Sequence, residues 1–331
     1  MQFDYIVGNP PYNNDIYIDF INLAHPLAKE KVCLITPAKW YCKADYKNEI
    51  FRNNIVPYME DIVVYRDTKD IFDIGEAAGI TYFTLTKNIS DIKNVKSVCK
   101  RNQVLNTQTF EKHTENPLLL YPNKIIDIIN KIQTSCNITL DNILNFTRCV
   151  FTDEQEYGLD ITHIPPDKTH EYYGIMQSDK CVGYIHISNL FTTENLNKYK
   201  CIQACMSCQG SHSPFDNNGL ALGSAKVVVI TPKQVPKGSF PVIRYFDTEQ
   251  EAKNFQSYMH SRLVSFLQFI GLSGTTITKE FYRFVPDQEN WTDSIWSESS
   301  QNIDKFLYEK YKITNDEIQL IESIIKQNDR A

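Results

Sequence analysis

The chain has 331 residues, with 34 Lys+Arg against 40 Asp+Glu and a formal net charge of −6. At roughly 150 residues per domain this length predicts about two domains, and a composition of 42% hydrophobic and 22% charged residues excludes a wholly disordered chain. No run approaches the ~18 continuous apolar residues of a membrane span. The opening MQFDYIVGNPPYNND has neither the basic start nor the long apolar stretch of a signal peptide, so a cytoplasmic protein without membrane association is expected.

The negative charge argues against a simple electrostatic nucleic-acid binder, but it is local. Residues 286–331 carry five basic and ten acidic side chains, against 29 and 30 in the remainder, which leaves room for a basic groove elsewhere.

In chain order, FDYIV at 3–7 reads as a short apolar strand stopped by Gly8 and the Asn9-Pro10-Pro11 break. Ile16, Phe20, Leu23, Ala24 and Leu27 give residues 16–29 a helical stripe, and KVCLIT at 31–36 reads as a two-sided apolar strand. A strand of that kind after a helix predicts a parallel sheet covered on both faces. A helix over 44–55 and strands at 60–65 and 79–86 complete a β-α-β-α-β-β run, an open α/β sheet.

Near residue 100 the texture turns polar and pattern-poor, which reads as a connector. Helices are expected at 123–133 and 138–145, then short strands that include VGYIHI, KVVVITP and FPVIRYF. Thr248-x-x-Glu251 is a capping box opening one long helix, stopped by Gly271, and Thr314-x-x-Glu317 caps the last helix.

Nine cysteines without a secretory signal are expected as free thiols. Cys201-x3-Cys205-x2-Cys208, followed by His212, has spacing that suits zinc or an iron–sulfur cluster. No cysteine follows Cys208 to complete an all-thiolate set. The segment YKCIQACMS therefore reads as strand and loop with buried thiols, and no metal is expected.

The strongest chemical signal is Asn9-Pro10-Pro11-Tyr12. In an open parallel sheet, ligands bind beyond the carboxyl ends of the strands, and this tetrapeptide stands at such an end. Two prolines fix φ and leave carbonyls free to accept. Asn9 adds a side-chain acceptor, and Tyr12 a flat face. The sum is a preorganised trap for a planar group bearing an NH2.

Asp4-Tyr5-Ile6-Val7-Gly8-Asn9-Pro10-Pro11-Tyr12 resembles the catalytic motif of S-adenosylmethionine-dependent amino-methyltransferases, in particular the adenine-specific (N6) DNA methyltransferases of restriction–modification systems. KVCLITPAKWY, IFDIGEAAGITYFTL and GLSGTTITKEFYRFVPDQ with WTD resemble later segments of those enzymes. The resemblance implies that Asn9 and the Pro10 carbonyl hydrogen-bond the adenine amine and that Pro11 shapes the turn. Tyr12 would stack on a base flipped out of double-stranded DNA, and S-adenosylmethionine would be the methyl donor. The adenine amine is a weak nucleophile because its lone pair is delocalised; two acceptors drawing on its hydrogens localise that pair, so catalysis is mainly positioning and electrostatics.

The implied fold is α/β, a partial Rossmann-like methyltransferase sheet followed by a mixed α+β target-recognition domain. The implied domains are 1–100 (catalytic), 101–285 (DNA recognition) and 286–331 (acidic helical extension). Candidate phosphate contacts are Lys93, Lys96, Lys100, Arg101, Lys226, Lys233, Lys237 and Arg244. Thr275, Thr276, Thr278, Lys279 and Arg283 form a polar loop where the family places DNA-facing groups, and Trp291 and Trp296 are expected to seal an apolar seam.

The pattern departs from the family in one respect. The Gly-rich cofactor loop stands upstream of the tetrapeptide in these enzymes, whereas eight residues precede Asn9 here, and Gly219-x3-Gly223 precedes a strand instead of following one. The cofactor-binding residues are therefore not assigned. Three explanations follow: a second polypeptide supplies the cofactor half, the chain is a remnant that binds DNA without methylating, or it is the distal part of a longer gene product; a protein-glutamine methyltransferase stands as a further alternative.

Overall fold

The computed structural model describes residues 2–42, 46–72, 79–89, 93–99, 103–110, 123–147, 171–190, 192–205, 221, 226–272, 274 and 276–325. The chain divides into two compact units, residues 1–130 with 210–222 and 271–275, and residues 131–209 with 223–270 and 276–331.

The first unit is built on a six-stranded sheet. β1 (Phe3–Gly8) leads to α1 (Ile16–Leu27), β2 (Ala28–Pro37), α2 (Lys39–Cys42), α3 (Tyr46–Ile55), β3 (Met59–Tyr65), β4 (Ile80–Thr86), β5 (Lys93–Cys99) and β6 (Gln103–Phe110). The strand order is β1-β2-β4-β3-β5-β6. β1 is parallel to β2 and β3 to β5, while β4 runs antiparallel to both of its neighbours.

The sheet is therefore mixed, which corrects the all-parallel expectation. An apolar run marks a strand covered on both faces and says nothing of its neighbour's direction. The polar stretch near residue 100 is also corrected: β5 and β6 form an antiparallel pair that extends the sheet.

Pro26 lies in the last turn of α1, where it has no N–H to return to the Asn22 carbonyl. Lys87 Nζ donates to two carbonyls at the C-terminal end of the helix, those of His25 at 2.6 Å and Pro26 at 3.3 Å. Beneath α1 and α3 the core gathers Tyr17, Ile18, Ile21, Val32, Leu34, Phe51, Ile62, Val64, Phe83 and Leu85. Trp40 is fully buried, edge-on to Phe51 at 5.5 Å and to Phe83 at 6.0 Å.

The remaining described elements are α4 (Asn123–Thr134), β7 (Tyr172–Gln177), β8 (Lys180–His186), β9 (Tyr199–Gln203), β10 (Val227–Ile230), β11 (Gln234–Pro236), β12 (Val242–Phe246), α5 (Glu249–Met259), α6 (Arg262–Gly271), α7 (Ser300–Lys310) and α8 (Asn315–Ile324). In the second unit β10-β9-β12 is antiparallel, and β11-β7-β8 forms another three-stranded sheet. Ile175, Ile185, Ile202, Val228, Ile230, Val235 and Val242 close a common core. Lys200 is fully buried in β9, its ammonium donating to the carbonyls of Leu196 at 3.0 Å and Lys198 at 2.9 Å. Trp291 and Trp296 pack 5.6 Å apart among Phe255 and Tyr258, so both tryptophans belong to an apolar seam.

Two helix expectations change. The helix expected at 138–145 is a single 3-10 turn, Leu140–Asn142. Its flanks pair away: Thr139 bridges Pro286, and Asn145 N–H donates to Ile243 O at 2.9 Å. The long helix after Thr248 is broken in two at His260–Ser261. Ser261 Oγ accepts from Val264 N–H at 3.3 Å. The Asp304 carboxylate accepts from Arg262 N–H at 3.1 Å and Leu263 N–H at 3.0 Å, so α6 starts afresh with its own cap. Both predicted capping boxes are present.

Burial pushes the Asp304 carboxyl up from 3.8 to about 6, against the opposing pull of those two N–H groups and Arg262. A carboxyl raised in the folded state binds more protons there than in the unfolded chain, so its contribution to stability is full below about pH 4 and is lost as pH rises towards 6. Denaturant titrations from pH 4 to 7 are expected to show stability falling by roughly 2 kcal/mol, the value of the shift discounted for partial exposure. In Asp304→Asn that slope is expected to flatten. An unchanged slope in the variant would assign the dependence to other groups.

Candidate functional site

β1 ends at Gly8, and the next four residues turn the chain towards α1. Asn9 and Pro11 are exposed, Pro10 is buried and Tyr12 half-buried. The corner is thus anchored by one proline while it presents Asn9 outward. Tyr12 (φ −93°, ψ −15°) precedes a 3-10 turn, Asn13–Asp15, that carries the chain into α1.

The register sets what else stands at this end of the sheet. Gly8 lies beside Leu34, Pro37 beside Ile80, and Ile80 beside Tyr65. The carboxyl ends of β1, β2 and β3 therefore emerge together, the place where open α/β sheets build ligand sites. Three features gather there that sequence reading did not single out.

The first is an ion pair, Lys39 Nζ to Asp15 at 2.6 Å, both side chains less than one-fifth exposed. It ties the start of α1 to the segment after β2, and Asp15 holds a left-handed backbone (φ 60°), a conformation Asp tolerates. The second is a buried polar run after β3, Arg66, Asp67 and Thr68, in which the Asp67 carboxylate accepts from Lys69 N–H at 3.2 Å. The third is Gly79, at φ +82°, whose carbonyl accepts from Ala38 N–H at 2.8 Å. The ion pair joins residues 24 positions apart, beyond any local pattern. Gly79 offered the one available signal, a glycine directly before an apolar strand.

The candidate DNA-contacting residues are placed in varied ways. Lys226, Thr276, Thr278 and Lys279 are exposed. The Arg283 side chain is only 10% exposed; it pairs with Glu280 at 3.3 Å and lies 4.7 Å from the Phe284 ring. Arg244, expected as a phosphate contact, is instead engaged by Asp287 at 2.5 Å, and it lies over Phe246, Phe255 and Trp291 at 5.3 Å each. Lys233 stands 5.0 Å from the Tyr173 ring. Lys93 and Lys96 are on β5. Lys100, Arg101 and Thr275 lie outside the described residues, as do Gly219 and Gly223.

Of the cysteine cluster, Cys201 is fully buried in β9, with its thiol donating to Ala252 O at 3.5 Å. Burial pushes that thiol far above the ordinary range, which disfavours the thiolate a metal needs. Cys205 is half-buried, and Cys208 and His212 fall outside the described residues.

For a nucleoside cofactor the fit is incomplete. Among the described residues β1 pairs with β2 only, so no described strand borders Asn9 and Tyr12 on the other side. No cofactor-binding residue is assigned from this chain.

No family model matches the chain. Over 106 residues it is 30% identical to an uncharacterized adenine-specific methylase of Mycoplasma pneumoniae (strain ATCC 29342 / M129 / Subtype 1), covering 27% of this chain and 24% of that protein. The type IIL restriction–modification enzyme MmeI, in complex with DNA, is similar at 9% identity and TM-score 0.48, over 97% of this chain and 56% of that one. The type IIG restriction endonuclease BpuSI is similar at 10% identity and TM-score 0.34, over 94% and 49%. The chain spans about a quarter of the methylase and about half of each of these structures.

Proposed function

We propose that the first unit carries the amine-recognising wall of an adenine-N6 DNA methyltransferase of the restriction–modification type. The observation that carries this reading is the turn at the carboxyl end of β1: Asn9 exposed, Tyr12 half-buried, and Pro10 buried as the anchor. The local similarity to an adenine-specific methylase supports it.

On this reading Asn9 Oδ1 and the Pro10 carbonyl accept the two hydrogens of the adenine amine, Pro11 holds the angle between the acceptors, and the Tyr12 ring stacks on the base. The base leaves the duplex to reach them, at a cost of a few kcal/mol. S-adenosylmethionine is the methyl donor the reading calls for. Among the described residues only one side of β1 is paired, so on this reading the rest of the donor's pocket comes from residues beyond those described, on this polypeptide or on a second one. Thr276, Lys279 and Lys226 are the exposed groups proposed to meet DNA, with Arg283 proposed beside them.

The test is genomic. The chain is expressed in a host without its own adenine methylation, alone and together with the polypeptide encoded immediately upstream. Long-read sequencing then scores N6-methyladenine. Methylation at one discrete sequence supports the reading, and its absence in both arms overturns it. Mass spectrometry of release-factor glutamine in the same cells separates the protein-glutamine alternative.

A further inference from the structure

The chain between Gly8 and α1 has two ends, and each is fastened differently. At the first, Gly8 stands beside Leu34 in the sheet and Pro10 is buried. At the second, residues 13–15 make a single 3-10 turn, closed by Ile16 N–H donating to the Asn13 carbonyl. Asp15 then leads into α1 with its left-handed backbone (φ 60°, ψ 21°). Asn9, Pro11 and Asn13 between those ends are exposed. The Asp15–Lys39 pair at 2.6 Å carries the second end back to the sheet.

Lys39 is itself firmly held. Before it, Pro37 pairs with Ile80 and Ala38 N–H donates to Gly79 O; after it, Trp40 is fully buried. The Lys39 ammonium also lies 5.9 Å from the centre of the Tyr17 ring, and Tyr17 is fully buried in α1. One cation thus meets the start of α1 twice, from a backbone that the sheet fixes.

Energy separates the two uses such a pair can have. Both side chains are less than one-fifth exposed. At that depth the cost of taking two charges out of water offsets much of their attraction, so the pair adds little net stability. What it fixes is position: the carboxylate sits on the turn that continues the Asn9–Tyr12 corner, and the ammonium on a segment that cannot follow it outward.

We propose that Lys39 is a positioning residue for the Asn9–Tyr12 turn. Through Asp15 it holds the 3-10 turn against the segment after β2, and so sets the angle at which Asn9 and Tyr12 are presented. In this role it touches neither the base nor the methyl donor. The strut rests on geometry alone; its bearing on methyl transfer rests on the methyltransferase reading.

Three variants of the full chain test it. Lys39→Met keeps the stem and removes the ammonium, and Lys39→Arg keeps a cation. Lys39→Met combined with Asp15→Asn removes both charges and keeps a side chain that tolerates the left-handed backbone. The combined variant is expected to melt with the parent by circular dichroism, since the pair as a whole is nearly neutral in stability. Hydrogen exchange at Ile16 N–H, followed by NMR, is expected to quicken by about tenfold in Lys39→Met and in the combined variant, while the amides of residues 32–36 keep the parent's rate. Single-turnover methylation, with the upstream polypeptide present if transfer needs it, is expected to slow by about tenfold in both, since a displacement of ~1 Å costs on the order of a hundredfold. The combined variant is no slower than Lys39→Met, because both substitutions cut one contact. Duplex affinity stays at the parent's value, and Lys39→Arg recovers most of the rate.

Parent-like exchange at Ile16 in Lys39→Met overturns the proposal. So does a parent-like transfer rate with weakened duplex affinity, which would make Lys39 a phosphate contact. So does a Lys39→Arg as slow as Lys39→Met, which would make the ammonium itself the requirement. A parent chain that transfers no methyl group removes the methyltransferase reading, and the exchange at Ile16 then decides the strut by itself.

Discussion

Asn9→Ala is expected to lower methyl transfer to adenine by at least about a hundredfold while leaving the fold unchanged. The loss follows from the kind of interaction removed. An acceptor aimed at an amine that gains positive charge is worth more as that charge develops than in the ground state. Removal of one such preorganised polar partner costs on the order of 3 kcal/mol. The substitution should therefore act on the transfer rate and only weakly on DNA affinity. Stability should stay within about 0.5 kcal/mol, because Asn9 is exposed and lies beyond the last paired residue of β1.

Tyr12 supplies the contrast. Tyr12→Phe keeps the flat face and should retain most of the rate, whereas Tyr12→Ala should lose the ~1–3 kcal/mol of a base–aromatic stack. Single-turnover methylation of a duplex with one target adenine measures all three variants. Full activity in Asn9→Ala would remove Asn9 from the mechanism.

Gly79→Ala is expected to destabilise the first unit by about 3 kcal/mol. Two penalties coincide there. The backbone sits at φ +82°, which an L-residue adopts only with strain, and an added Cβ would stand 2.3 Å from the Tyr65 carbonyl oxygen and 2.9 Å from Arg66 Cα. Both obstacles are backbone atoms, so a side-chain rotation cannot relieve them. Relief requires β4 to move away from β3, which would also disturb the Ala38–Gly79 hydrogen bond that holds the segment after β2. Urea denaturation followed by the fluorescence of buried Trp40 tests this, and a change below about 0.5 kcal/mol would show that the turn is slack.

The parts of this molecule that were legible in its sequence are those whose cause is local. The Asn9–Tyr12 turn reads directly because two prolines and a glycine act within four residues. The capping boxes at Thr248 and Thr314 read for the same reason. The strands at 59–65 and 80–86 read from apolar runs.

What was missed is non-local or masked by composition. β5 and β6 are polar strands, KNVKSVC and QVLNTQTF, whose Val and Thr content was their only sign. The break between α5 and α6 depends on Asp304, more than 40 positions away, so the continuous stripe across 252–270 concealed it. Helical spacing at Ile138, Leu140, Ile143 and Leu144 was overridden by pairing with residues near 243 and 286. At the candidate site, the turn was legible and the Lys39–Asp15 pair beside it was not.

The insertion of β4 between β2 and β3 has a consequence for the order in which the protein is made. While synthesis stands between Tyr65 and Ile80, β2 and β3 have been made and the strand that pairs with the facing side of each has not. Their native pairing waits for residues 80–86. A stall or truncation before that point leaves two apolar ribbons open at once, a state prone to aggregation. Synthesis through Thr86 is the step that lets these strands join into one sheet.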